Sequence, residues 1–364
     1  MGIGTKKTSN TPYSLLPIRY SLIHQSLGGN GLAGSHSNRL TRDSTGMTPQ
    51  TILLSLGAGL VSAIVFASAT TGPALARFAL FFLTPFAIYL AGLGLGPIAG
   101  IIAGVTATAL IFLIANPAAA AVFLISEAGP AVMLSRQALL ARGENNEREW
   151  FPTGHLVRTA ALFAGASAVL VMTLLATDSE AMTKALRAAV ETFAKTEMPT
   201  LPGGAPPTEA QLDELTAYAK AALPIVLAIS AMATMLLNLW LAGRVTLASG
   251  RLTRPWPDLA SMTLPPGSSL VMLAALTLSF ADGPIGLGGK AFAGAYFLSF
   301  VLMGLAVAHH LTRGSPWRNF LLTAVYVSLL IFASGAALLL ALTGLAETIF
   351  KYRAHPRGPH PDPS

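Results

Sequence analysis

Long apolar runs, separated by short polar segments, dominate the chain between residues 47 and 350. A membrane-spanning helix needs about 20 mostly apolar residues, because the helix rises about 1.5 Å per residue. The pattern predicts an all-α, polytopic transmembrane helical bundle with about nine spans, or eight if the short seventh run does not cross. The predicted spans are Thr51–Ala69, Leu75–Leu93, Pro97–Asn116, Pro117–Leu140, Leu156–Ala176, Leu223–Val245, Ser268–Phe280, Ala291–Leu311 and Phe320–Phe350.

The polar stretches divide the chain into five segments. Residues 47–177 hold spans one to five, and residues 221–350 hold spans six to nine. Residues 178–220 form a polar insertion between them. Residues 1–46 are rich in Ser, Asn, Gly and Arg, and we interpret them as a disordered basic arm or as a mis-assigned start. Residues 351–364 are predicted to be a disordered tail.

The composition supports the membrane class and excludes several others. Hydrophobic residues make up 53% of the chain, charged residues make up 11%, and the mean hydropathy is +0.60. An ordinary soluble domain has about 25% charged residues. Because the chain has no cysteine, disulfide scaffolds and thiolate metal sites are excluded. The net charge of +7 comes from loops and tails, so the expected partner is the lipid bilayer and not nucleic acid.

The arginine residues indicate an orientation. They concentrate in loops after spans four, six and eight, which share one side of the membrane: Arg136, Arg142, Arg148, Arg158, Arg244, Arg251, Arg254, Arg313 and Arg318. The positive-inside rule makes this side cytoplasmic and predicts a multi-pass membrane protein. Nine spans place the tail outside, although it holds Lys351, Arg353 and Arg357. Either the rule fails there, or one predicted span is not a full crossing.

The insertion at 178–220 is extracytoplasmic in this orientation, and its pattern predicts two helices. Apolar residues at helical spacing form one face of the first: Met182, Leu186, Ala189 and Phe193. An amphipathic helix of this kind lies on a membrane surface or covers a bundle. Thr208 and Gln211 are spaced as a capping box that starts the second helix. The insertion is either a helical linker or a lid over a ligand cavity.

Glu127 is an acidic residue well inside an apolar span, near the middle of span four. An ionisable group at that depth is costly and is a candidate functional residue. Pro130 cannot donate to the Ser126 carbonyl oxygen, so the helix is weakened beside the carboxyl group. Transporters use such broken helices for solute and ion sites. The alternative is a protonated, hydrogen-bonded Glu127 and a kink that serves packing alone.

Two further features are candidates for helix contacts. Gly96, Gly100 and Gly104 recur every four residues at span three and predict a small-residue face for close helix packing. Asn238 lies among leucine and tryptophan residues of span six. It either hydrogen-bonds across helices or contributes to a binding site with Glu127 and Ser126.

The sequence has no HExxH, GxSxG or Walker motif and no acidic cluster suited to a metal ion. A membrane enzyme usually needs several converging polar groups. We therefore expect no enzymatic activity, no metal and no cofactor. A lipid-modifying enzyme would need a second polar group near Glu127, and the sequence offers no clear one.

Three stretches resemble a known family over about residues 50–353. They are similar to the YybS-like (DUF2232-type) uncharacterised membrane proteins of bacteria, a family without an established activity. The resemblance therefore implies the membrane fold and a multi-pass protein of the bacterial cytoplasmic (inner) membrane, but no function. The stretches are Pro85-Phe86 with Gly94-Leu95-Gly96-Pro97, Leu236-Leu237-Asn238-Leu239, and Gly304-Leu305-Ala306-Val307-Ala308-His309 with the ending from Gly344 to Arg353.

Spans two to four resemble, more distantly, the substrate-binding subunits of energy-coupling-factor transporters, through Gly96-Pro97-Ile98-Ala99-Gly100. This resemblance implies a small-solute pocket open to the outer side and partner subunits, namely a coupling subunit and ATPases. We therefore expect a transport-type, small-solute-binding membrane subunit, with Glu127 and the broken span four at its site. The alternative is a non-catalytic scaffold or assembly factor that binds other membrane proteins of the envelope or division machinery.

Overall fold

The structure is a computed structural model, and it describes residues 47–69, 73–143, 148–175, 179–197 and 207–354. The predicted basic arm and most of the predicted tail lie outside these residues. The described chain is almost entirely helical and has one short β-hairpin, in which β1 (Ala141–Arg142) pairs antiparallel with β2 (Glu149–Trp150). Its helices are α1 (Pro49–Ser68), α2 (Ala74–Leu83), α3 (Phe86–Gly94), α4 (Pro97–Ile114), α5 (Pro117–Phe123), α6 (Gly129–Ala138), α7 (Thr153–Leu175), α8 (Ser179–Glu197), α9 (Glu209–Ala248), α10 (Ser268–Leu278), α11 (Gly283–Leu311), α12 (Arg318–Ile331) and α13 (Ala333–Phe350).

Eight helical stretches of the described residues are long and apolar enough to cross a membrane, which confirms the all-α polytopic prediction. α2 and α3 form most of one stretch, and α5 and α6 form another through a π-helical turn. The predicted seventh span is the 11-residue α10. A helix of that length rises only about 16 Å, against an apolar core of about 30 Å. Eight helical stretches of the described residues therefore meet the length and hydropathy requirement, and α10 is not among them.

The predicted ninth span, Phe320–Phe350, is two helices rather than one. Phe332 leaves the helical conformation, with φ −116° and ψ 44°, and separates α12 from α13. α12 starts beside the end of α11, where Arg318 Nη1 donates to the His309 carbonyl oxygen at 3.0 Å. The break allows α12 to leave this end of the bundle and α13 to return to it.

We call this end of the molecule the basic end. At this end Arg254 donates to the Ala138 carbonyl oxygen at the end of α6. Arg313, which lies just after α11, forms an ion pair with Asp258. Arg353, just after α13, donates to carbonyl oxygens in and after the 3₁₀ turn that follows Asp258. The first residues of the tail therefore lie on the same side as the arginine-rich loops. Because α13 returns to the basic end, the first residues that follow it lie on the arginine-rich side, and the basic tail no longer conflicts with the positive-inside rule.

The predicted insertion contains α8 and the first part of α9. The capping box is confirmed: the Gln211 N–H donates to Thr208 Oγ1 at 3.3 Å, and the Thr208 N–H donates to Gln211 Oε1 at 2.8 Å. Arg187 of α8 forms ion pairs with Asp213 and Glu209 of α9. α9 is one 40-residue helix that continues through residue 220, so the second helix of the insertion and span six are continuous.

α11 and α13 cross in close contact through two glycines. A Cβ atom at Gly304 would meet the Leu340 carbonyl oxygen, and one at Gly344 would meet the Phe300 carbonyl oxygen, both far inside van der Waals distance. Residues without a side chain permit this approach of two helix backbones. The crossing holds α13 against the bundle, although Leu339 on its outer face is 68% exposed.

Candidate functional site

The break predicted in span four is a π-helical turn at Leu124–Ala128. The Gly129 N–H closes a hydrogen bond five residues back along this turn. In the same register the Ile125 carbonyl oxygen would need a donor from Pro130, which has no N–H. Ser167 of α7 supplies that donor, with its Oγ atom 3.2 Å from the Ile125 oxygen. The side chain of Ser167, on a neighbouring helix, therefore stabilises the π-helical turn.

Glu127 lies in this turn and is 5% exposed, and its Oε2 atom has no hydrogen-bond partner among the described residues. Tyr89 of α3 is completely buried, and its hydroxyl group has no partner among the described residues either. The buried hydroxyl oxygens of Ser62 on α1 and Ser126 are also unpaired. We call these four residues the Glu127 cluster.

Asn238 is buried on α9 and connects two spans. Its amide nitrogen donates to the Phe82 carbonyl oxygen at the end of α2 and, at 2.8 Å, to the Thr234 carbonyl oxygen. Phe82 lies next to the end of α2, where the second span is interrupted before α3. Asn238 therefore connects this interruption to span six by a hydrogen bond. No described hydrogen bond links Asn238 with Ser126 or Glu127.

The three glycines of the predicted packing face have different surroundings. Gly96 precedes α4 with φ +107°, and no atom lies within 4 Å of a Cβ built on it, so it serves the turn and not a helix contact. A Cβ at Gly100 would lie 2.9 Å from Gly92 Cα on α3. A Cβ at Gly104 would lie 3.0 Å from Val132 Cγ2 on α6. Gly100 and Gly104 therefore bring α4 close to its two neighbours.

A cavity of about 690 Å³ lies at the basic end, and we call it the basic-end cavity. α7, α9, α11 and α12 contribute to its walls, together with the segment 252–262 that follows α9. Most of the lining side chains are apolar, and they include Leu156, Leu239, Trp240 and Leu302. A concave apolar site with a few polar groups is the usual form of a small-molecule site.

The charged side chains of this cavity are mostly cationic. Three arginines, Arg254, Arg313 and Arg318, and one aspartate, Asp258, line it. Asp258 is already paired with Arg313. Arg254 is 9% exposed, its described hydrogen bond goes to a carbonyl oxygen, and no described carboxylate lies within ion-pair distance of it. Burial lowers the pKa of the Arg254 guanidinium group from its usual value, which reflects the cost of this uncompensated charge.

Trp256 forms the part of the cavity wall next to α9. A Cβ atom on Gly243 would lie 3.3 Å from Trp256 Cζ3, so the glycine gives the indole ring room against the helix. Arg244 lies over the Trp256 ring, with its Cζ atom 5.2 Å from the ring centroid. This cation–π contact and the glycine fix the ring at the cavity.

His309 and Tyr326 form a polar edge of the same cavity. His309 Nε2 and the Tyr326 hydroxyl oxygen are 2.9 Å apart and hydrogen-bonded. His309 lies in the last turn of α11, so this edge is at the end of that helix. The adjacent His310 lies outside the lining of this cavity.

None of the predicted binding residues, Glu127, Ser126 and Asn238, lines the basic-end cavity. Sequence reasoning missed Arg254 as a site residue because it was one of nine loop arginines that indicated orientation. One signal was available, since Arg254 and Trp256 lie close together in a proline-containing segment between two spans. Amphipathic residues of this kind are common at membrane interfaces, however, and do not by themselves indicate a cavity.

A family model for predicted membrane proteins, DUF2232, matches residues 60–348. The chain belongs to the DUF2232 family. The matched region contains both the Glu127 cluster and the basic-end cavity, so membership in DUF2232 covers every residue of the two candidate sites. Neither the curated proteins nor the solved structures contain a significant match. The DUF2232 description establishes an integral membrane protein, and the more distant resemblance to energy-coupling-factor transporters stays a hypothesis.

Proposed function

We propose that this protein is a transport-type solute-binding subunit of a bacterial cytoplasmic membrane, and that its ligand is an amphipathic anion held in the basic-end cavity. The supporting observation is Arg254, a buried guanidinium group in the cavity wall without a described carboxylate partner. A buried charge without a partner destabilises a protein by several kcal/mol, on the order of 3–5 kcal/mol where a partner has been removed. An anionic ligand would compensate this charge.

The rest of the cavity suits the apolar part of such a ligand. Ligand sites usually measure about 300–1,000 Å³ and have mainly hydrophobic and aromatic walls. The basic-end cavity falls in this range, and Trp240 and Trp256 provide flat apolar surfaces on one side. Burial of a ligand's apolar surface there is favourable by roughly 25 cal/mol per Å².

Each polar residue of the cavity has a distinct part in this proposal. Arg254 is the charged partner of a carboxylate or phosphate group. Arg318 brings a second positive charge, which is bonded to the His309 carbonyl oxygen and not to a carboxylate. His309 and Tyr326 offer a hydrogen-bonding edge beside the anionic group. Asp258 neutralises Arg313 and keeps the Arg313 side chain in position.

The coupling and ATPase subunits belong to this proposal as partners. The resemblance of Gly96-Pro97-Ile98-Ala99-Gly100 to the energy-coupling-factor subunits supports them. In this scheme the present chain binds the amphipathic anion, and the partners use ATP to drive its release. This site differs from the sequence-based expectation of a pocket at Glu127 that opens to the outer side. The cavity lies instead at the basic end, on the side that the positive-inside rule predicts to be cytoplasmic.

Native mass spectrometry of the full chain, purified gently from its own membrane, tests the proposal. Wild-type protein should retain one anionic amphiphile, either a phospholipid or a smaller carboxylate, after mild delipidation. Arg254→Gln should lose it, and Arg251→Gln, a neighbour outside the cavity lining, should retain it. Equal retention by all three proteins would overturn the proposal. Capture of envelope proteins with no bound amphiphile would favour the scaffold function instead.

A further inference from the structure

The Glu127 cluster is separate from the basic-end cavity, and the proposed function makes no use of it. Its polar atoms are all oxygens: one carboxylate and the hydroxyl groups of Tyr89, Ser62 and Ser126. No hydrogen bond joins any two of the unpaired oxygens Glu127 Oε2, Tyr89 Oη and Ser62 Oγ. Buried polar groups are normally paired, so a group of unpaired ones requires an explanation.

The fold brings these residues to one level inside the bundle. Ser62 precedes Phe66 by about one helical turn, and the Phe66 ring contacts the Phe123 ring with centroids 5.3 Å apart. Glu127 follows Phe123 by about one turn in a helix that runs the opposite way. Ser62 and Glu127 are thus placed on the same side of this ring contact. Tyr89 precedes Gly92 of α3 by about one turn, and Gly92 packs against Gly100 of α4. Gly104, about one turn further along the antiparallel α4, packs against Ala128, so Tyr89 lies near the level of the π turn.

The neighbourhood of Glu127 supplies no cationic side chain. Of the elements that pack on the π turn, α4 and α5 have no titratable residue, and α6 has Arg136 near its far end at the basic end. α7 carries His155 and Arg158 in its first two turns, about nine residues or 13 Å along the helix from Ser167. Tyr89, on the neighbouring α3, is the titratable group near this level, and no ion pair of the described residues includes Glu127.

A buried carboxylate in this setting has two ways to avoid the cost of an unpaired charge. It takes up a proton, or it binds a cation that the surrounding oxygens also coordinate. Hard cations prefer oxygen ligands, and the cluster offers oxygens from one carboxylate and three hydroxyl groups. One carboxylate balances one positive charge, whereas divalent ions in proteins usually receive more than one carboxylate.

We propose that the Glu127 cluster binds one monovalent cation of sodium type, with the Glu127 carboxylate as its charged ligand and the Tyr89 hydroxyl oxygen as a neutral ligand. The π turn supports this arrangement because it displaces Glu127 from a regular helix. Ser167 stabilises the turn by occupying the carbonyl oxygen that Pro130 leaves without a donor. Protons compete with the cation for the carboxylate, so binding weakens as the pH falls.

Thermal unfolding of the full chain in detergent tests the site, with NaCl exchanged for choline chloride at constant ionic strength. Wild-type protein should show a saturable rise in Tm with NaCl, because a ligand that binds the folded state stabilises it. Glu127→Gln keeps the shape of the side chain and should abolish the sodium-dependent rise. Tyr89→Phe should weaken the apparent affinity by about tenfold or more, because it removes a ligand to a charged group.

Glu180→Gln, on the exposed part of α8, is the matched control and should respond to sodium as the wild type does. A wild-type Tm that is the same in sodium and choline would overturn the proposal, as would an unchanged sodium response in Glu127→Gln. If Glu127→Gln does not fold, an unchanged affinity in Tyr89→Phe overturns it. Retention of the amphipathic anion is measured separately, so failure at one site does not imply failure at the other.

Discussion

The Nε atom of Arg353 lies 2.9 Å from Oε1 of Glu347, and both side chains are buried, with exposed fractions of 7% and 4%. Arg353 also donates to the Ala260 and Met262 carbonyl oxygens, each at 2.7 Å. The pair thereby joins the end of α13 to the segment that borders the basic-end cavity. The first residues of the predicted disordered tail are, in consequence, an ordered part of the basic end.

Removal of Glu347 should destabilise the protein strongly. In Glu347→Gln the Arg353 guanidinium group stays buried without its carboxylate, which costs about 3–5 kcal/mol. The measurement is the midpoint of thermal or denaturant unfolding in detergent. Glu191→Gln, from the exposed ion pair of Glu191 with Lys195, is the control and should change the midpoint little. Equal shifts in the two variants would mean that the Arg353–Glu347 pair does not hold the basic end.

Ser167→Ala should destabilise the π turn. The Ile125 carbonyl oxygen then loses the donor that replaces the N–H lacking in Pro130, and an unsatisfied buried acceptor costs about 1–3 kcal/mol. Ser135→Ala is the comparison, because the Ser135 hydroxyl group bonds to the Ala131 carbonyl oxygen of its own helix. Hydrogen exchange at the amides around residue 127 should become faster in Ser167→Ala alone. Equal protection in both variants would contradict the role given to Ser167.

Two glycine substitutions in α13 should affect the unfolding midpoint differently. Gly344→Ala places a methyl group against the Phe300 carbonyl oxygen and forces α11 and α13 apart, at a cost of about 1–3 kcal/mol. Gly335→Ala meets nothing within 4 Å, and alanine favours a helix by about 1 kcal/mol over glycine. Unfolding midpoints should therefore fall for Gly344→Ala and stay level or rise for Gly335→Ala. A similar fall in both would contradict the close crossing.

The segment 252–262 beside the basic-end cavity should become less stable at acidic pH. A hydrogen bond from Arg313 lowers the pKa of the Asp258 carboxyl group below its usual value of about 3.9. A lowered folded-state pKa gives stability that is present above the unfolded-state pKa and is lost as the pH falls through the folded-state value. Fluorescence of Trp256, which lies near Asp258 in the lining, should change below about pH 4 in wild-type protein.

Asp258→Asn is the variant that identifies the group responsible for this acid transition. It removes the titrating carboxyl group, so the fluorescence change below about pH 4 should disappear. Because both Arg313 and Asp258 are about half exposed, salt should reduce the effect in wild-type protein. An unaltered acid transition in Asp258→Asn would assign it to another carboxyl group.

The sequence predicts most of the spans because length and hydropathy alone define a membrane helix. It does not predict the break at Phe332, where no proline or glycine marks the end of α12. Ser334 and Gly335 follow within three residues, but serine and glycine are also common in continuous membrane helices. The apolar run therefore looks continuous although its two halves run in opposite directions.

The candidate sites are less accessible from sequence because their partners are far apart in the chain. Pro130 predicts a weakness in span four, but the residue that stabilises the resulting turn, Ser167, lies on the next helix. Asn238 is recognisable as a buried amide, but its acceptor on Phe82 is 156 residues away. The basic-end cavity combines residues from seven separate stretches of chain, and no local pattern brings them together.

Quenching of the fluorescence of Trp240 and Trp256 by a brominated fatty acid would show whether the basic-end cavity binds an amphipathic anion, since both rings line this cavity. Trp150 and Trp317, which lie outside the lining, are replaced by Phe. We expect saturable quenching by the brominated acid and about tenfold weaker binding of this acid to Arg254→Gln. The corresponding neutral brominated alcohol should quench wild-type protein and Arg254→Gln equally. Identical, non-saturating quenching by acid and alcohol in both proteins would show that the cavity does not select an amphipathic anion.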